Sequence, residues 1–137
     1  MDVVVPCPDR IRQIPPNFAW IDRRLRDQRF LGTLTLKELA VYVFLVLAAN
    51  KHGVSFYRSE QVAALFDYQL DPLDVIQCRS TLFDKGLIAG QPFNGHSTEG
   101  FYQVLPLPKS IQIFIPPQRG GDLSSLHEML ESPSFGR

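Results

Sequence analysis

The sequence predicts a small α+β domain, and three observations carry that prediction. Residues 35–51, TLKELAVYVFLVLAANK, are apolar at every position from Leu39 to Ala49, and a helix apolar all round must be enclosed. Two shorter helical patterns follow, at residues 59–66 and 71–85. Two strand-like runs, LIAGQPF and FYQVLPL, then flank the polar stretch NGHSTEG.

Taken in order, the chain opens with Pro6, Pro8, Pro15 and Pro16, which deny it hydrogen-bonded structure and predict an extended arm. FAWI, residues 18–21, reads as a hydrophobic anchor, with Trp20 filling core beside the central helix. Asp22 is placed to cap a short helix over residues 23–31, stopped by Gly32. Thr35 and Glu38 have the spacing of a capping box at the start of the central helix. Its apolar run is shorter than the roughly 18 residues a membrane span needs, so no membrane partner is expected. Asn50 and Gly53 close it, and VSFY, residues 54–57, is a short strand. Ser59 is placed to cap SEQVAALF, and residues 67–70 form a turn. Asp71-Pro72-Leu73-Asp74 is a strong helix start, with proline where the missing N–H costs nothing. Val75, Cys78 and Leu82 recur at spacings of three and four and share its inner face. Gly86 ends that helix, and residues 94–100 suit a hairpin tip.

Beyond residue 108, Ile111, Ile113 and Ile115 alternate between prolines, as in an edge strand. Asp122 then caps LSSLHEMLE, with Leu123, Leu126, Met129 and Leu130 on one face. A helix this short needs a surface to dock on, which is its own domain, a second copy or a protein partner. The expected division is therefore residues 1–33 as arm and short basic helix, 34–108 as the domain, and 109–137 as the extension.

The 137 residues suffice for one domain with a real core. The formal net charge of zero removes the simplest argument for nucleic-acid binding, a global basic excess. Charge is placed unevenly, however. Residues 10–29 hold six arginines against two aspartates, and residues 65–85 hold four aspartates against two basic residues. Cys7 and Cys78 form neither a disulfide framework nor a metal-ligand pair, and MDVVVPCPDR lacks the pattern of a secretory signal. A cytoplasmic protein with free thiols is expected.

The order helix, strand, helix, helix, strand, loop, strand resembles the winged helix-turn-helix arrangement. The residues that carry the likeness are LTLKELAVYVFLVLAANKHG, YRSEQVAALF, STLFDKGLIAGQPF and FYQVLPLP. They are similar to winged-helix domains of bacterial and phage replication-initiation proteins and of transcription regulators. The resemblance covers residues 34–108 and implies a three-helix core with a small antiparallel β-wing. It also implies double-stranded DNA as partner, with residues 71–85 entering the major groove.

On that expectation Gln77 and Arg79 read bases, Ser80 and Thr81 bond phosphate or bases, and Asn94 and His96 lie on the wing. Arg23, Arg24, Arg26 and Arg29 are either a phosphate-contacting arm or a solvated helix face. Against DNA stand Asp71, Asp74 and Asp84 on the groove helix and a wing without lysine or arginine. The alternative is a winged-helix protein-interaction or dimerisation module, using the acidic helix and residues 109–131. Catalysis has no support. His52, His96 and His127 lack partners at metal-ligand spacing, and phosphate-binding or dinucleotide motifs are absent, so neither cofactor nor metal is expected.

Overall fold

The computed structural model describes residues 3–95 and 97–108. His96 and the expected strand and helix of residues 109–131 lie outside the described residues. What is described is α+β: four α-helices and a three-stranded antiparallel sheet. Among the described residues no helix is long and apolar enough to cross a membrane.

Helix α1, Arg24–Asp27, is a single turn. The residue at its N-cap is Arg23, one position after the Asp22 expected there, and it makes no side-chain cap bond; the Asp22 carboxylate accepts from the Arg24 backbone N–H at 2.8 Å. The expected continuation to residue 31 does not form. Arg29 adopts φ 64°, and a 3-10 turn, Phe30–Thr33, follows. Leu25 and Phe30, five residues apart, would lie about 140° apart around a continuous helix. The left-handed break turns both into the core. These two residues anchor the arm; Trp20 does not. Contrary to expectation its indole is 75% exposed, and Phe18 and Ile21 beside it are exposed as well.

Helix α2, Leu36–Ala48, begins with the expected reciprocal cap. Thr35 Oγ1 accepts from the Glu38 N–H at 3.1 Å, and Glu38 Oε1 accepts from the Thr35 N–H at 3.0 Å. Val41, Tyr42, Leu45 and Val46 form its buried stripe. It is not enclosed on all sides, for Leu36 and Leu47 are exposed. Asn50 Oδ1 then accepts from the N–H groups of His52 and Val54, and Gly53 turns the chain at φ 83°.

Strand β1, Val54–Ser55, leads to α3, Ser59–Leu65. The residue at the N-cap is Arg58, one position before the Ser59 expected there. Asp67 and Tyr68, both left-handed, make the turn into α4, Pro72–Asp84. Asp71 caps α4 by accepting from the Asp74 N–H at 2.7 Å, and Asp74 accepts from the Asp71 N–H in return. Val75, Cys78 and Leu82 face inward, as their spacing requires.

Strands β2, Ile88–Pro92, and β3, Gly100–Val104, pair from Ile88↔Val104 to Pro92↔Gly100. Strand β1 lies on the other side of β3, with Val54 opposite Gln103, so the sheet order is β1-β3-β2. One hydrophobic core joins α2, α3, α4 and the inner side of the sheet, and runs from Leu25 to Leu107. Its burial is the main favourable term holding these elements together.

Candidate nucleic-acid interface

The outward side of α4 is where sequence reasoning expects a reading surface. Gln77 is exposed there, and Ser80 and Thr81 are half-buried beside it. Leu73 is 60% exposed one turn earlier. The acidic charge of this helix is partly answered, since Lys37 Nζ donates to Asp74 Oδ2 at 3.1 Å. The backbone N–H of Asp71 and the Lys37 ammonium hold the Asp74 carboxyl below its ordinary range. At the other end Lys85 donates to the Thr33 carbonyl and lies 3.5 Å from Glu38 Oε1.

Arg79 is not on that surface. It is 2% exposed, and its guanidinium points back under the β2–β3 loop. Nη1 donates to the Tyr57 carbonyl at 3.2 Å. Nη2 donates to the Thr98 carbonyl at 3.2 Å and to Glu99 Oε1 at 3.1 Å. The cationic carbon sits 4.3 Å from the centre of the Tyr102 ring. Only Nε has no hydrogen-bond partner. The reason is helical geometry: position 79 is four beyond Val75 and three before Leu82, inside the apolar stripe. That signal is present in the sequence, but an arginine is expected outside unless a partner for it is known. The partner, Glu99, is 20 residues away.

Glu99 ties three elements together. Besides Arg79 it accepts from the Ser59 N–H at 2.9 Å and from Ser59 Oγ at 2.6 Å, at the start of α3. Burial alone raises its pKa, yet the Ser59 hydrogen bonds and then Arg79 outweigh that and hold the carboxyl below the usual range. The one acid of the loop is therefore turned inward and presents no free charge to a polyanion.

Arg23, Arg26 and Arg29 do not line one side of a helix, because α1 is one turn long and ends before Arg29. Arg24 is clamped to Asp22 and Arg26 to Asp27, at 2.8 and 2.7 Å. Arg23 and Arg29 are exposed, and neither makes an ion pair among the described residues. Arg24 and Trp20 line an open groove of about 970 Å³, together with Tyr42, His52 and Leu107. No residue of α4 lines it.

Arg58 is a residue that sequence reasoning passed over. It is exposed at the start of α3, and its guanidinium lies 5.3 Å from the centre of the Phe93 ring at the root of the β2–β3 loop. Asn94 follows Phe93 and is exposed. Among the described residues no group of three or more His, Cys, Asp or Glu side chains comes together as a metal site would require. Compared with known protein families, curated proteins and solved structures, the chain matches none.

Proposed function

We propose that residues 34–108 are a winged helix-turn-helix domain that binds double-stranded DNA. The observation that carries this reading is topological. Helix α2, strand β1, helices α3 and α4, then β2 and β3 follow one another, with β1 paired to the far side of β3. In such a domain α4 enters the major groove and the β2–β3 loop lies along the neighbouring backbone.

Gln77 is the base reader in this proposal, since its amide offers a donor and an acceptor to the edge of adenine. Ser80 and Thr81 supply hydroxyls beside it. Arg58 and Asn94 meet phosphate from the loop side, and Arg23 and Arg29 meet it from the arm. Arg79 serves the site by holding the loop against α4. Replication initiation and transcription control are the two settings that the winged-helix resemblance suggests. The test is fluorescence anisotropy of the whole chain with mixed-sequence duplex across a range of salt. Binding that weakens steeply with salt supports the reading, and its slope counts the phosphates met. Absence of binding at low salt overturns it.

A second reading, a protein-interaction module, is favoured by one observation. Leu65, Tyr68 and Leu73 at the α3–α4 corner are all about 60% exposed, next to the Asp71 cap. Sedimentation of the chain at rising concentration tests self-association through this corner.

A further inference from the structure

The outer face of the sheet carries a row of aromatic rings that the core does not use. Alternation along the strands turns Ile88, Tyr102 and Val104 toward the helices and leaves Val54, Gln91, Phe101 and Gln103 on the opposite face. Phe56, just after β1, and Phe93, just after β2, join Phe101 on that outer face. The Phe56 and Phe101 ring centres are 5.9 Å apart, and those of Phe101 and Phe93 are 5.2 Å apart. Both pairs meet edge to face, so the rings do not stack flat on one another. Their exposures are 63%, 45% and 39% for Phe56, Phe101 and Phe93. Arg58 extends the row beyond Phe93 and makes no ion pair among the described residues.

The paired rings brace the strands, and the surface they leave in solvent is a contiguous apolar patch of the kind that marks an interaction site. Their neighbours narrow what they bind. The side chains along the row are amides, Gln91 and Gln103, and a cation, Arg58. The loop's only carboxylate, Glu99, is held on the other side by Ser59 and Arg79. Partly exposed rings, amides for base edges and a guanidinium without an ion pair among the described residues suit a nucleobase chain with its phosphates. They do not suit a basic partner, and duplex DNA offers no open base faces.

We propose that this outer sheet face binds single-stranded nucleic acid, with bases stacking on Phe56 and Phe101 and Arg58 meeting the backbone phosphate. Stacking of this kind tolerates any base, because every base has a π-face. The surface shares Arg58 with the duplex reading but no residue of α4, so it is Phe56 and Phe101 that separate single-strand binding from duplex binding.

The test uses the whole chain and two fluorescein-labelled probes read by anisotropy at low salt. One is a mixed-sequence single strand of about 20 nucleotides, longer than the ~4–16 that a single platform covers. The other is the same sequence as a duplex. Phe101→Ala and Phe56→Ala are each expected to weaken single-strand binding about tenfold and to leave the duplex unaffected. Phe101→Tyr restores binding, and Gln77→Ala shows the opposite preference. Phe101→Leu separates stacking from apolar contact, since it keeps the bulk and loses the π-face. Full single-strand affinity in that variant overturns the proposal. So does failure of the wild-type chain to bind the single strand. A dimer that Phe101→Ala converts to monomer, with single-strand affinity unchanged, assigns the face to a second copy instead. Circular dichroism verifies that each variant is folded.

Discussion

Arg79 and Glu99 meet inside the domain, 3.1 Å from Nη2 to Oε1, with side chains only 3% and 15% exposed. One residue belongs to α4 and the other to the β2–β3 loop, and Ser59 at the start of α3 bonds the same carboxylate. The position of the loop relative to the helices is thus set by one ion pair and its hydrogen bonds. A residue that looks like a base reader in the sequence is a strut.

Removing one partner of this pair is expected to be costly, because the other charge stays buried without its neighbour. Arg79→Ala should lower unfolding free energy by about 3 kcal/mol, measured by urea denaturation. Replacing both partners with apolar residues of similar volume, Arg79→Met with Glu99→Leu, should cost less than either single loss. A double-mutant cycle checks the difference.

Glu99 also makes stability depend on pH. Its carboxyl titrates below its ordinary value of 4.5 in the folded chain, so the unfolded chain binds the proton more tightly. The stabilisation is complete above the unfolded value and is lost as pH falls through the folded one. Asp22, held down by Arg24, and Asp74, held down by the Asp71 N–H and Lys37, act in the same direction below 3.8. Denaturant midpoints should fall on acidification from about pH 5 to about pH 3, and Glu99→Gln should flatten that slope.

Gly53 holds φ 83°, and a Cβ there would sit 3.0 Å from the Val104 carbonyl oxygen. That oxygen belongs to strand backbone and has little room to yield. Gly53→Ala is expected to cost about 1–2 kcal/mol, read as a lowered thermal midpoint, through strain at a left-handed position.

Duplex binding, if it runs through α4, should respond differently to two kinds of substitution. Gln77→Ala is expected to weaken binding to a preferred sequence about tenfold, with unfolding free energy unchanged. Arg23→Ala and Arg29→Ala should weaken all sequences alike and each reduce the salt slope by about one. Anisotropy titrations at several salt concentrations separate the two. Equal responses would remove the distinction between reader and phosphate contact.

The sequence by itself determined the elements whose causes are local. Thr35 with Glu38 and Asp71 with Asp74 are three residues apart, so the starts of α2 and α4 are readable from side chains that satisfy nearby N–H groups. The inward stripe of Val75, Cys78 and Leu82 follows from helical periodicity alone. The two strands around residues 94–100 follow from their apolar runs and the polar turn between them.

Tertiary structure decided everything that depends on partners far along the chain. Trp20 lies outside because Leu25 and Phe30, turned inward by the break at Arg29, already anchor the arm. The strand expected over residues 54–57 is only Val54–Ser55, because only those two pair with β3, nearly 50 residues later. Arg79 is inside because Glu99, Tyr57 and Thr98 give it hydrogen bonds there. A buried charge is paid for by its neighbours, and those neighbours are known only once the chain has folded.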